Sequence, residues 1–430
     1  MRIDVVVRPE AGHVSPTLHV MHGLQRLGHE VRFICLAPAA WKLTANTNIG
    51  RIKHFAPTVP DSEGIPAHWR SGPLGMALAR RTWALAQDWG QLFAGAGAVL
   101  IDQTLPEIMF PALSKRLPVV VLSTQLSYAR RGDTPPVISS EVDPQRGWAA
   151  VSEQVAHGDR QLLELVKSRQ LPPVMHPQFW RRWAAKLGLG DHIVDSCLSA
   201  QPGVRGLAEL VLVPEQLELP GYYRDAALHY LPPPMELVNV PRPVMGRRRR
   251  LLAFCAFGSQ LQNYELAELR DRAQSLIDAF ALLPDFFVAL QAPARLHHSL
   301  RLHRRVEVRP TWPQRALLQE AALFVTHCGL NSMLEAARCG VPMVTQPLRW
   351  DQPGNAVRLE YHGLARGIRE WTPAGIATVA REALALPKRR LRAAARYFPT
   401  RTEYDRRLAA IWPAVVEHAS SVVRRRSRAS

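Results

Sequence analysis

The densest chemistry in this sequence is the run Thr326-His327-Cys328-Gly329-Leu330-Asn331-Ser332. It leaves an apolar stretch at 323–326 that reads as a strand and opens a short helix at 333–338, which Gly340 ends. A strand that hands over to a helix leaves backbone N–H groups pointing out of the helix N-terminus, where the helix dipole adds positive potential. Gly329 lets a ligand approach the backbone closely, and His327, Asn331 and Ser332 add side-chain donors. Those residue types in that order suit the holding of a phosphate or diphosphate, without a Walker-type lysine or an obvious metal carboxylate. A second reading of the same residues stays open. Ser332 and Glu335 stand at the spacing of a capping box, in which both side chains would serve only their own helix.

A second candidate lies near the start, in Gly12-His13-Val14-Ser15-Pro16. Here a strand at 3–8 is expected to end in a loop carrying His13, with Ser15 as N-cap and Pro16 at the first position of the following helix. An imidazole titrates near neutral pH, so His13 is suited to take a proton from a hydroxyl. His297 and His298 have no partners at ligand spacing and read as surface or core residues.

The elements that must position these residues follow a strand–helix–strand rhythm. Leu18, Met21, Leu24 and Leu27 mark a helix ended by Gly28, and strands are expected at 30–35, 99–101 and 119–122. After residue 250 the plan repeats: strands at 251–256, 286–290, 323–326 and 341–345, with a helix at 267–282. Short loops between alternating strands and helices imply parallel sheets. The stretch Leu231-Pro232-Pro233-Pro234 through Arg247-Arg248-Arg249-Arg250 is proline-rich and then charged, and reads as a semi-rigid linker. The expected organisation is a first α/β domain at 1–230, a linker at 231–249, a second α/β domain at 250–390, and a helical segment with a basic tail at 391–430. Doubly wound sheets take their ligands at the carboxyl ends of the strands, and two such domains often share a cleft. Residues 130–205 have weak periodicity and read as mixed helix and loop.

The composition sets the outer bounds. The chain has 430 residues, 47% hydrophobic and 21% charged, which is globular and too long for one core. No apolar run nears the roughly 18–20 residues of a membrane helix. The opening residues lack a signal-peptide layout, and the five cysteines are widely spaced with no Cys-x-x-Cys, so a reducing cytoplasm is expected. The net charge of +18 comes from scattered arginines and two runs, Arg247–Arg250 and Arg424-Arg425-Arg426. No aromatic-interleaved or zinc-finger pattern accompanies it, so nucleic acid is not an expected partner, whereas peripheral contact with an anionic membrane is compatible with the charge.

The run Trp312-Pro313-Gln314 … His327-Cys328-Gly329-Leu330-Asn331-Ser332 … Glu335 … Gly340-Val341-Pro342 … Asp351-Gln352 … Asn355-Ala356 resembles the nucleotide-sugar box of the UDP-glycosyltransferases, glycosyltransferase family 1. Gly12-His13-Val14-Ser15-Pro16, Gly28-His29-Glu30-Val31 and Phe257-Gly258-Ser259 match the same family in the right order, and the spacing is similar to that of its bacterial natural-product and carotenoid members. The resemblance implies the GT-B fold, two Rossmann-like domains facing a cleft. It implies that His327, Gly329, Asn331 and Ser332 hold the diphosphate, with Ser259 touching the phosphates. Glu335 would bind the ribose, Trp312 and Gln314 would face the base, and Asp351 and Gln352 would read the sugar. His13 would be the base, with Asp102 as its carboxylate partner. One departure stands out: the family usually has Trp, one residue, then Pro-Gln, whereas Trp312 here abuts Pro313.

The expected activity is therefore metal-independent, inverting transfer of a sugar, glucose by resemblance, from a UDP-sugar to a hydroxyl of a lipophilic molecule, with no cofactor. Trp83, Trp89, Phe93 and Phe110 are candidates to line the acceptor pocket, though core packing accounts for them better. A sugar-nucleotide epimerase or a non-catalytic nucleotide-sugar binder on the same fold are the alternatives. The first would release no UDP, and the second would not need both His13 and Asp102.

Overall fold

The computed structural model describes residues 1–36, 51–54, 93–126, 177–186, 206–219, 226–236, 250–259, 264–348 and 351–429, with isolated positions between 160 and 189 and at 261. The chain forms two units, Met1–Pro234 with Arg401–Ser430, and Met235–Thr400.

In the first unit the apolar, largely β-branched runs Arg2–Val6 (β1), Ala98–Asp102 (β4) and Val119–Ser123 (β5) are buried almost throughout. That is the signature of strands covered on both faces. With Glu30–Cys35 (β2), Arg51–His54 (β3), Ala208–Val211 (β6) and Leu228–Tyr230 (β7) they form one sheet in the order β3-β2-β1-β4-β5-β6-β7. Every pairing is parallel. The order reverses between β1 and β4, so the loops leaving these two strands diverge and open a crevice at the switch point. Among the described residues before 234, the helices beside the sheet are Ala11–Arg26 (α1), Pro106–Ser114 (α2) and Pro177–Lys186 (α3).

Helix α1 begins four residues before its expected cap. The Glu10 carbonyl accepts from both His13 N and Val14 N at 3.0 Å, which starts the helix at Ala11. Pro16 therefore sits inside the helix, where its missing N–H forfeits one bond, and Ser15 is not a cap. His13 accordingly projects from the first helical turn rather than from a loop.

The second unit repeats the plan. Its sheet runs β10-β9-β8-β11-β12-β13, all parallel, from Leu251–Ala256 (β8), Phe286–Gln291 (β9), Val306–Arg309 (β10), Ala321–Thr326 (β11), Met343–Thr345 (β12) and Ala365–Gly367 (β13). Here the order reverses between β8 and β11. The helices are Leu266–Ala281 (α4), Gln314–Leu318 (α5), Leu330–Cys339 (α6), Gln352–Tyr361 (α7), Pro373–Leu384 (α8) and Lys388–Ala394 (α9). Gly340 ends α6 at φ 67°, the left-handed cap that favours glycine. Helix α6 starts at Leu330, three residues earlier than its periodicity indicated, so Asn331 and Ser332 belong to its first turn.

The last helix, Arg401–Ala429 (α10), returns to the first unit. Tyr404, Leu408, Trp412, Val415, Ala419 and Val422 recur every three or four residues along one stripe and are all buried. Leu408 closes on α1 so tightly that a Cβ on Gly23 would lie 2.4 Å from it. Arg26 and Asp405 add a two-pronged ion pair at 2.9 and 2.6 Å. The unit boundaries thus differ from the expected ones: α10 packs with the first unit, and Leu231–Pro234, assigned to the linker, are buried in it. Phe93 and Phe110 are core, with Phe110 edge-on to Trp180 and Trp183, while Trp83 and Trp89 lie outside the described residues.

Candidate functional site

The switch point of the first unit brings together the two ends that sequence reasoning paired. Asp102 is the last residue of β4 and is fully buried, and His13 projects from the first turn of α1, which follows β1. His13 Nδ1 lies 2.7 Å from Asp102 Oδ2. The other carboxylate oxygen, Oδ1, accepts from Thr104 N at 2.9 Å and Thr104 Oγ1 at 2.7 Å, which locks its orientation. Burial alone would lower the His13 pKa. The Asp102 charge and hydrogen bond, with the Glu10 charge, outweigh burial and Arg8, so the net shift is upward. Burial would likewise raise Asp102, but His13 and the Thr104 bonds pull it below the usual carboxylate value. Among the described residues His13 Nε2 has no partner. An imidazole whose Nδ1–H is held by a carboxylate keeps Nε2 as the proton acceptor, which is the arrangement of a general base with its orienter.

The switch point of the second unit holds the anion-binding candidates. His327 follows β11 directly, and two glycines close on its ring. A Cβ on Gly258 would lie 2.3 Å from Nε2, and one on Gly329 would lie 2.4 Å from it. Gly258 also sits at φ 86°, a left-handed conformation that side chains other than glycine rarely adopt. The imidazole is thus clasped between the loop after β8 and the start of α6. Burial pushes its pKa down to about 4, with the Ala256 carbonyl pulling weakly the other way. At neutral pH His327 is therefore uncharged and offers hydrogen bonds rather than a cation. Gly329 is the N-cap of α6, and the first intrahelical bond runs from Met333 N to Gly329 O at 3.1 Å. The N–H groups of Leu330, Asn331 and Ser332 consequently have no intrahelical acceptor.

Ser332 and Glu335 do not form the capping box that their spacing allows. Gln314, the first residue of α5, reaches across instead. Its Nε2 donates to Glu335 Oε2 at 2.8 Å and to Ser332 Oγ at 3.1 Å. Burial raises the Glu335 pKa, while Gln314 and Arg315 moderate the shift. Trp312 donates its indole N–H to the Leu290 carbonyl at 3.0 Å, and the Arg309 guanidinium covers one of its faces at 4.3 Å. One face is left for stacking at most.

The sugar-reading pair splits. Asp351 is buried at the N-cap of α7, and its Oδ2 accepts from Asn355 Nδ2, 2.8 Å away, which also donates to the Cys328 carbonyl at 3.0 Å. Asp351 is thereby tied to the His327 loop. Gln352 uses both ends of its amide on protein partners: Oε1 accepts from Leu348 N and Nε2 donates to the Tyr264 hydroxyl, both at 2.8 Å. Ser259 is exposed on the loop after β8 and makes no hydrogen bond among the described residues. No group of three or more His, Cys, Asp or Glu side chains gathers at metal-ligating distance among the described residues.

Sequence reasoning missed Thr104 and Thr124. The Thr124 hydroxyl is 2.7 Å from His13 Nδ1 and 3.4 Å from Asp102 Oδ2. It also missed the role of Gly258 against His327. The available signal was positional: Thr104 and Thr124 each follow an expected strand, and strands adjacent in a parallel sheet end side by side.

Residues 255–384, which contain the whole His327 cradle, match the family described as UDP-glucoronosyl and UDP-glucosyl transferase. The zeaxanthin glucosyltransferase of Pantoea ananas is 24% identical over 390 residues, covering 85% of this chain and 84% of that protein. The oleandomycin glycosyltransferase of Streptomyces antibioticus is 28% identical over 374 residues, covering 83% and 76%. In fold, the chain is similar to the crystal structure of the glycotransferase of kitacinnamycin, with a TM-score of 0.67 at 22% identity, over 95% of this chain and 97% of the other. With two doubly wound parallel sheets and the family match across the second of them, this chain has the GT-B fold and is similar, over 255–384, to the UDP-glucoronosyl and UDP-glucosyl transferases.

Proposed function

We propose that this enzyme transfers a glucose-like sugar from UDP to a hydroxyl of a lipophilic small molecule, with inversion and without a metal. His13 Nε2 takes the proton of the acceptor hydroxyl, and the oxygen forms its bond to the anomeric carbon. The bond from that carbon to the diphosphate oxygen breaks, and UDP leaves with the electron pair. Asp102 stabilises the imidazolium that results. Charge on the leaving diphosphate meets the N–H groups of the first turn of α6 and the His327 ring, taking the part a metal plays elsewhere. Gln314 and Glu335 then hold the nucleoside, with Glu335 accepting from the ribose hydroxyls. Asp351 reads the sugar, and Gln352, its amide taken by Leu348 and Tyr264, holds the start of α7 in place. The observation that carries this reading is the 2.7 Å contact of His13 Nδ1 with a buried Asp102, which leaves Nε2 available.

The lipophilic acceptor is supported by the two relatives, whose names specify zeaxanthin and oleandomycin. Attachment to anionic membrane, where such acceptors dissolve, is supported by one exposed face. Lys388, Arg389, Arg392 and Arg396 are exposed and fall within about 100° around α9 and the turn that continues it, opposite the buried Leu391 and Ala394. A reducing compartment is supported by Cys255, Cys328 and Cys339, which form no disulfide among the described residues.

The test is UDP release by wild type and His13→Ala across a panel of UDP-sugars and hydroxylated natural products, beside calorimetric titration with UDP. The variant is expected to lose about 10²–10⁴-fold in rate, the worth of a general base, with UDP affinity unchanged. A variant that keeps more than about a tenth of the rate removes His13 from this role. Turnover without UDP release would instead identify an epimerase.

A further inference from the structure

Hydrogen-bond counting around His13 leads to a third member of its base assembly. Nδ1 has two oxygens at 2.7 Å, Asp102 Oδ2 and Thr124 Oγ1. Asp102 is held ionised and can only accept. If Nδ1 carried no proton, its lone pair would face that carboxylate oxygen at contact distance. Nδ1 therefore carries the proton in both the neutral ring and the imidazolium. The Thr124 hydroxyl then cannot donate to Nδ1. Its own hydrogen turns toward Asp102 Oδ2, 3.4 Å away, and its lone pair faces Nδ1–H.

We propose that Thr124 is a positioning residue for the His13 base: its hydroxyl oxygen is a second acceptor for Nδ1–H, keeping Nε2 the bare nitrogen and stabilising the imidazolium formed during transfer. The three side chains come from three places around the switch point: His13 from α1, Asp102 from the end of β4 and Thr124 from just beyond β5. Thr124 is itself buried, so water does not readily replace its oxygen. A hydrogen bond to a group gaining charge strengthens as the charge develops, so the effect falls on turnover rather than on donor binding.

The proposal rests on His13 as the base, so the experiment carries an arm for each. Thr124→Val removes the oxygen at nearly constant shape, Thr124→Ser keeps it, and His13→Ala reports on the base reading alone. For Thr124→Val, a roughly tenfold or larger fall in kcat is expected, with the KM for the UDP-sugar unchanged. Thr124→Ser should restore most of the rate. The acid limb of the pH profile and the His13 titration followed by ¹⁵N NMR should both move to lower pH in Thr124→Val. Asp102, Glu10 and Arg8, the charged groups that act on His13, are untouched in these variants. If Thr124→Val does not fold, Thr124→Ala replaces it with the same expectations. An unshifted His13 titration and a wild-type kcat overturn the proposal. So does a Thr124→Ser variant as slow as the valine, because the hydroxyl would then not be the agent. If His13→Ala keeps its rate while the His13 titration still responds to Thr124, the base reading fails and the Thr124 contact stands.

Discussion

The clasp around His327 can be tested one glycine at a time. Gly258 and Gly329 both approach the imidazole too closely to carry a Cβ, at 2.3 and 2.4 Å from Nε2, but they differ in backbone. Gly258 is left-handed at φ 86°, whereas Gly329 sits at φ −60° and ψ 136°, open to any residue. Gly329→Ala therefore meets only the ring. Overpacking of that kind costs about 1–3 kcal/mol when the neighbours hold their places. Gly258→Ala adds about 1–2 kcal/mol for forcing alanine into the left-handed region, giving roughly 2–5 kcal/mol in all. At about 2–4 °C per kcal/mol for a unit of this size, the melting midpoint falls by up to about 12 °C for Gly329→Ala and 20 °C for Gly258→Ala. Where the ring yields instead, less stability is lost and UDP affinity drops by about tenfold or more, the worth of a hydrogen bond to a charged group. Calorimetric titration with UDP beside thermal melts reads both outcomes. A His327→Ala background separates the two costs. There Gly329→Ala should become nearly neutral, while Gly258→Ala should keep its backbone strain of about 1–2 kcal/mol. The reasoning is refuted if both alanine variants melt and bind UDP like wild type, or if removing His327 rescues neither.

Because Gln314 rather than Ser332 partners Glu335, Glu335→Gln should weaken UDP binding with no loss of a helix cap. Burial raises the Glu335 pKa, so its ionised form is disfavoured in the folded chain, and melts near pH 7 should show the variant at or above wild-type stability. His327 sets a pH dependence of opposite sense to a salt-bridged histidine. Its folded pKa of about 4 lies below the unfolded 6.5, so the unfolded chain binds the extra proton and stability falls as pH drops from about 6.5 to 4, by about 3 kcal/mol. Unfolding free energies from denaturant titrations of wild type and His327→Gln should fall across that window by amounts that differ by about 3 kcal/mol, and parallel pH profiles would contradict it. UDP release should survive excess EDTA and gain nothing from added Mn²⁺. A loss that metal restores would overturn the metal-free mechanism.

What the sequence by itself determined is local. The apolar runs at 251–256, 286–290 and 323–326 form strands, and Gly28 and Gly340 mark helix ends, because both signals lie within a few residues of the element they specify. The order of these runs carries the doubly wound plan, and the spacing from Gln314 to Asn355 carries the resemblance to the UDP-glycosyltransferases. Tertiary structure decided which side chains meet. Nothing near Pro16 in the sequence shows that α1 starts at Ala11; that follows from the Glu10 carbonyl taking two bonds. The capping-box spacing of Ser332 and Glu335 is real, but Gln314, 18 and 21 residues earlier, claims both. Thr124 reaches His13 across 111 residues, and α10 returns to the first unit after the second is complete. Such contacts depend on strand order and on where the sheet reverses. Periodicity reports only which face of an element is apolar, so the pairing of distant polar ends at a switch point becomes legible only once the strands are assembled.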